Sequence, residues 1–311
     1  MVSPQEQGIR LDIFLKNYNS HLTRSHLKKL IDREKVKLNE INPKAGARLK
    51  AGDRIELQIS PPEPMIALPE PIPLNILFED EAIIVINKPP GLVVHPAAGN
   101  YSGTLVNGLL YHYQSLPNQG CPLRPGIVHR LDKNTSGVMV VAKNNHAHQH
   151  LAAQFKDHTI TRKYLALTVG VISESRGTIS SLIGRHPRER KKMSSRPLRG
   201  KKAITHWEVL KRYRFFTLLK IGLETGRTHQ IRVHLASIHR PVLGDAEYGG
   251  RKPLASLPKT ESCQYLSLVK RQILHATTLG FIHPLQGEYA EFNAPPPEDF
   301  QSILQKLEEQ G

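Results

Sequence analysis

Apolar positions near the start of the chain repeat at helical spacing. Leu11, Phe14 and Leu15 share one face of a first predicted helix. Leu27, Leu30 and Ile31 share one face of a second, which Thr23 or Ser25 can cap. Arg24, Lys28, Lys29 and Arg33 then occupy the other faces of that helix. Short strand patterns follow at 36–39 and 54–57, with Ala51-Gly52-Asp53 as the turn before the second. Residues 1–60 therefore read as one small unit. Pro61, Pro62, Pro64, Pro69, Pro71 and Pro73 then predict a stiff, extended linker over 61–73.

The remaining residues, 74–311, read as one larger domain. Strand patterns occupy 81–87, 137–143, 162–169, 203–212, 215–223, 274–282 and 288–292. Helical patterns occupy 104–113, a stretch reaching about 158, 228–238 and 300–309. In the third of these, Thr228 stands as the cap and Ile231, Leu235 and Ile238 form the buried stripe. Many strands with dispersed helices predict an α+β fold, not a doubly wound parallel sheet.

Charge changes the picture more than length does. The chain has 311 residues and a formal net charge of +16, which favours a polyanionic partner through counterion release. A charge that serves only solubility is the competing reading. Nine Lys or Arg residues and one acid, Glu189, fall between Arg185 and Lys202, half of the chain's net excess. The two cysteines, Cys121 and Cys263, cannot build a disulfide framework. The N-terminus has no signal-peptide pattern, and apolar runs such as 82–86 are too short to span a bilayer. A cytoplasmic protein without membrane contact is expected.

Three segments could carry chemistry. Residues 126–143 place two apolar runs around a polar turn, His129-Arg130-Leu131-Asp132-Lys133-Asn134-Thr135-Ser136-Gly137. Arg130 and Lys133 beside Asp132 favour its ionised, nucleophilic form. The same residue types also make ordinary polar turns. Arg227, just ahead of the helix expected at Thr228, could reach a buried carboxylate; pairing with Glu224 is the plainer alternative. Tyr164, in the strand Arg162-Lys163-Tyr164, offers a flat face for a base and a hydroxyl for proton transfer, or is simply a core tyrosine. His146, His148 and His150 diverge on a helix, and His229 and His234 miss the zinc-binding i,i+4 spacing. No glycine-rich phosphate loop occurs, so nucleotide cofactors find no support.

Taken together, the segments resemble the RluA family of pseudouridine synthases over nearly all of 74–295. The marks are Gly91-Leu92-Val93-Val94-His95-Pro96, His129-Arg130-Leu131-Asp132 with Ser136-Gly137, and Arg162-Lys163-Tyr164. Gly226-Arg227-Thr228-His229-Gln230-Ile231-Arg232, Leu243 to Gly250 and Leu274-His275-Ala276 complete the order. The N-terminal unit resembles the S-four RNA-binding module through Arg10-Leu11-Asp12, Thr23-Arg24-Ser25, Val36 to Asn39 and Ala51-Gly52-Asp53. Ile183 to Pro187 and Lys191-Lys192-Met193 are similar to the RluD type, which acts on large-subunit rRNA.

The resemblance implies a mixed, mainly antiparallel central sheet with flanking helices and loops. It implies isomerisation of uridines in structured RNA, rRNA before tRNA, without cofactor or metal; the oligomeric state is left open, with a monomer as the default. It makes Asp132 the catalytic carboxylate, pairs it with Arg227, and sets Tyr164 against a base flipped out of the stack. Leu274, His129 and Arg130 would touch the substrate, Arg130 by filling the space the base leaves. Arg10, Arg24, Lys28, Lys37, Arg185, Arg188, Lys191 and Lys192 would grip RNA. The rival classes are a non-enzymatic RNA-binding or ribosome-assembly factor and an RNA hydrolase. The first has no need of the Asp132, Tyr164 and Arg227 segments together. The second wants a metal cluster or an activated Ser or Cys.

Overall fold

The computed structural model describes residues 1–19, 22–58, 66–97, 99–118, 122–189, 192–250 and 269–309. Lys191, Cys121, Cys263 and residues 61–65 of the expected linker lie outside the described residues. The chain forms two units, Met1–Pro64 and Met65–Gly311.

In the small unit, α1 (Leu11–Tyr18) and α2 (Arg24–Asp32) pack on the hairpin of β1 (Val36–Leu38) and β2 (Ile55–Leu57). Thr23 is the α2 cap, accepting from His26 N–H at 3.2 Å. Leu11, Phe14, Leu15, Leu27 and Ile31 are buried in one core, as their spacing predicts.

The large unit begins before residue 74. Residues 66–73, read above as linker, lie on α3 (Leu105–His112): Asn107 Nδ2 donates to Leu68 O at 2.7 Å, and Glu70 N–H donates to Asn107 O at 3.0 Å. The prolines keep this stretch extended, and Ala67 is buried.

The sheet is built from β3 (Ile76–Glu79), β4 (Ile83–Lys88), β5 (Ser136–Ala142), β6 (Thr161–Val169), β7 (Arg176–Arg185), β8 (Met193–Ser194), β9 (Lys201–Arg212), β10 (Phe216–Leu223), β11 (Leu274–Ile282) and β12 (Tyr289–Asn293). Its order is β3-β4-β5-β11-β6-β10-β9-β7-β8, with β12 on β11. All strand pairs are antiparallel except β5 with β11. The mixed, mainly antiparallel α+β sheet is thus present. Helix α4 (Asn145–Asp157) follows β5, α5 (Gln230–Ser237) follows β10, and α6 (Glu298–Glu309) ends the described chain. No described helix is long and apolar enough to cross a membrane.

Two expectations change. Arg185 to Lys202 is not one loop: β8 pairs with the end of β7, and β9 opens at Lys201. Strand β7 escapes the pattern reading because its outer face is polar and few of its residues are buried. Helix α5 starts at Gln230, with His229 as its cap in a left-handed backbone at φ 55°. Thr228 does not cap it. Gln230 Oε1 instead accepts from Thr225 Oγ1 at 2.8 Å and Arg227 N–H at 2.9 Å, tying down the preceding turn.

The parallel pair decides what meets at the centre. Ser136 lies opposite His275 and Gly137 opposite Ala276, so the turn that feeds β5 sits beside the start of β11. Gly137 has φ 122°, and a Cβ there would lie 2.1 Å from Ala276 O; only glycine allows this approach.

His129 fastens the same turn to α4. Its Nε2 accepts from Val140 N–H at 3.0 Å, and its ring stacks on Phe155 at 4.5 Å. Burial, helped by nearby Arg162, pushes the imidazole pKa down to about 3. The unfolded chain takes up this proton near 6.5, so between about 3 and 6.5 it binds more protons than the fold. This contribution is full above that window and is lost as pH falls, by about 1.4 kcal/mol per pH unit. In denaturant melts from pH 4 to 7, His129→Phe should be less stable than wild type at neutral pH but lack this slope. Parallel acid profiles would mean that His129 is already charged in the fold.

Candidate active site

Asp132 stands in the turn between Leu131 and β5, and the turn is held from two sides. Lys88 is fully buried and donates from Nζ to Pro89 O at 2.8 Å, Leu92 O at 2.9 Å and Lys133 O at 3.1 Å. Burial, with Arg271 nearby, lowers its pKa to about 7. Arg271 donates from Nη1 to Asn134 O at 3.0 Å, and its other nitrogens grip Asp299 in α6 at 2.7 and 2.8 Å. Backbone position at Asp132 is therefore fixed by side chains from β4 and from the approach to β11.

The charge partner of Asp132 is Arg232, not Arg227. Arg232 Nη1 donates to Asp132 Oδ2 at 3.0 Å. Its Nε and Nη2 hold Asp245 bidentately at 2.7 and 3.0 Å, and Nη2 also meets Glu247 at 2.6 Å. The Arg232 side chain is 6% exposed and that of Asp132 19%. Burial alone would disfavour the guanidinium charge, but the carboxylates of Asp245 and Asp132 outweigh it and raise the pKa. Arg227 turns instead to Lys202 O, donating from Nε at 3.1 Å, and still lines the cleft. The late start of α5 explains the exchange: Arg227 stays in the turn, while Arg232 falls inside the helix and faces Asp132.

A second contact reaches Asp132 from the cap of α5. His229 Nε2 lies 3.8 Å from Asp132 Oδ1. Its Nδ1 is 2.8 Å from Tyr248 Oη, which accepts from Met193 N–H of β8 at 2.8 Å. Nδ1 also lies 3.6 Å from Glu247 Oε2, so the ring stands between Asp132 on one side and Tyr248 and Glu247 on the other. Burial lowers the pKa of His229 and favours the neutral imidazole.

The cleft has a volume of about 250 Å³ and gathers Asp132, Tyr164, Arg227, Leu274, His129 and Arg130. Tyr164 lies opposite Ala276 across β6 and β11, and Leu274 is the buried first residue of β11. Burial, and secondarily the Asp132 charge, raise the Tyr164 pKa, while Arg162 opposes them. The phenol is protonated at neutral pH. Arg130 donates from Nη1 to His95 Nε2 at 3.1 Å, and His95 Nδ1 faces Pro96 O at 3.1 Å. Burial lowers the pKa of both groups.

Of the other residues expected to contact RNA, Arg185, Arg188 and Lys192 do not line the cleft. Arg24 and Arg10 converge on Asp12 at 2.7 and 3.0 Å and hold its carboxyl below the usual range. Lys28 is exposed and Lys37 half-buried. Arg185 and Arg188 are exposed, and Lys192 pairs with Glu189 at 2.6 Å.

The residues missed by sequence reasoning are Arg232, Asp245, Glu247, His229 and Tyr248. A signal was present. Arg232 follows Arg227 on the inner side of a predicted helix, where a buried arginine demands carboxylates. The segment 243–250 offers two of them, Asp245 and Glu247.

Residues 82–237 match the RNA pseudouridylate synthase family. A protein of Aquifex aeolicus called an uncharacterized RNA pseudouridine synthase is 48% identical over 304 residues, covering 96% of this chain and 94% of its own. The ribosomal large subunit pseudouridine synthase D of Haemophilus influenzae is 44% identical over 307 residues, covering 98% of this chain and 93% of its own. Among solved structures, human RNA pseudouridylate synthase domain containing 1 aligns with a TM-score of 0.56 at 27% identity, covering 76% of this chain and 95% of its own. By fold and by sequence along nearly its whole length, the chain belongs to the RNA pseudouridylate synthase family.

Proposed function

We propose that this enzyme converts uridine to pseudouridine in large-subunit ribosomal RNA, with Asp132 as the carboxylate that acts on the target nucleotide. The observation that carries the reading is the Asp132 carboxylate, held by Arg232 at 3.0 Å in a cleft it shares with Tyr164 and Leu274. The ribosomal substrate is supported by relatives named ribosomal large subunit pseudouridine synthase D.

The reaction breaks the bond between N1 of uracil and C1′ of ribose, turns the base and joins C5 to C1′. A fixed carboxylate beside the sugar stabilises its electron-poor carbon or bonds to it, and can help remove a proton. Arg232 holds Asp132 in place through its Nη1. Tyr164 gives the flipped uracil a stacking face, with Leu274 packing beside it. Arg130, which lines the cleft, would fill the space the flipped base leaves in the RNA. The Arg185 to Lys202 hairpin and the N-terminal unit add phosphate contacts.

Asp132→Asn keeps size and an acceptor for Arg232 while removing the charge. Single-turnover tritium release from RNA carrying 5-tritiated uridine should fall about ten-thousandfold or more, with RNA binding retained. Substantial turnover by this variant would remove Asp132 from the chemistry.

Arg232 and Arg227 should separate in stability. Arg232→Met strands Asp245 in the interior and should cost about 3–5 kcal/mol in denaturant melts. Arg227→Ala loses one exposed carbonyl contact and should cost no more than about 1 kcal/mol. Equal losses would mean that the shared guanidinium does not organise the site.

Deletion of residues 1–60 should weaken RNA affinity and flatten its salt dependence, because phosphate contacts are lost. The rate at saturating RNA should survive. A folded but inactive truncation would show that the N-terminal unit does more than tether.

A further inference from the structure

Arg162 is a cleft residue that neither the packing nor the proposed chemistry accounts for. It lies on β6 two residues before Tyr164, so both side chains leave the strand on one face, and both line the cleft. The residue is 9% exposed. Its Nη2 donates to Glu224 O at 2.9 Å and reaches Leu223 O at 3.5 Å. Its Nε is buried without a partner, and Nη1 makes no hydrogen bond among the described residues. Neither does any carboxylate there pair with it. The guanidinium lies 5.9 Å from the Phe155 ring.

The contrast with its neighbours is informative. Arg232 meets three carboxylates, and Arg271 grips Asp299. A buried guanidinium with most donors idle is costly, and a methionine would fill the same volume without that penalty. Room has also been kept for it: a Cβ on Gly226 would come within 2.5 Å of Arg162 Nη1. The idle donors therefore stand at the wall where the proposed substrate enters.

We propose that Arg162 is a further substrate-binding residue, whose Nη1 donates to a carbonyl oxygen of the target uracil and stabilises the negative charge gathering there as the base leaves the sugar. This rests on the reading of the Asp132 cleft given above. When C1′–N1 breaks, the electron pair departs with uracil and spreads over the ring and its oxygens O2 and O4. The sugar carbon is left electron-poor beside Asp132. After the base turns, C5 bonds to C1′, the C5 hydrogen leaves as a proton and N1 takes one up, so charge balances. A donor aimed at the carbonyl acts most strongly at the cleavage step, where the charge is largest.

The experiment pairs enzyme variants with substrate analogues. Single-turnover rates are measured for wild type, Arg162→Met and Gly226→Ala on RNA with uridine, 2-thiouridine or 4-thiouridine at the mapped target, and with methylphosphonates flanking it. Arg162→Met should slow the reaction about a hundredfold with little change in RNA affinity. Gly226→Ala pushes the flexible end of Arg162 aside and keeps its charge, so the rate should fall in the same direction with an unchanged melting temperature. It also keeps the test open if Arg162→Met folds poorly. Sulfur at one carbonyl position should slow wild type and have a much smaller effect on the variants, since sulfur is the weaker acceptor and the donor has gone. Thio effects of equal size in all three proteins, or wild-type rates in both variants, would overturn the proposal. So would a methylphosphonate effect that disappears only in the variants, which would assign Arg162 to a phosphate. If wild type forms no pseudouridine in any RNA, the reading of the cleft fails before Arg162 is tested.

Discussion

The site depends on one buried guanidinium shared among three carboxylates. Asp245 takes two nitrogens of Arg232 in a planar fork, and that grip sets the direction of the third toward Asp132. A lysine could match the charge but not the geometry. Asp245 is itself fully buried and accepts from the backbone N–H groups of Glu247 and Tyr248 at 2.9 and 3.1 Å. The segment after α5 is thereby folded around its own carboxylate. Asp132, the least buried of the acids contacting the cleft side of Arg232 apart from Glu247, keeps an open flank toward the space where a nucleotide would sit.

Sheet topology brings the other walls to this point. Gly137 lets β5 approach the start of β11, and the antiparallel partner β6 carries Tyr164 and Arg162 to the same place. Acid, phenol and leucine come from distant parts of the chain, yet their spacing follows from strand register and one glycine. Lys88 and Arg271 then restrain the turn through its backbone carbonyls, leaving the Asp132 side chain to Arg232 and His229.

Most strands and helices were legible because each shows one period. Helix α5 was legible in its body but not in its start. Thr228 looked like a cap, while the turn is in fact closed by the Gln230 side chain reaching backward. The cap falls one residue later, at His229, which leaves Arg227 in the turn and sets Arg232 inside the helix toward Asp132. Strand β7 was illegible for another reason: a polar outer face and a basic sequence beyond it mimic a solvated loop. The cleft residues were legible only as a family resemblance. Short polar segments far apart carry no periodicity, and nothing in Asp245 or Tyr248 taken singly announces a role.

The His229 cap joins two regions that the sequence presents separately. Tyr248 accepts from the β8 backbone and faces His229, and His229 faces Asp132. Strand β8 belongs to the basic hairpin between Arg185 and Lys202. Any shift of that hairpin would have to break the Met193 to Tyr248 bond or carry Tyr248 with it. Strand β8 and Asp132 are thus linked through two side chains, Tyr248 and His229.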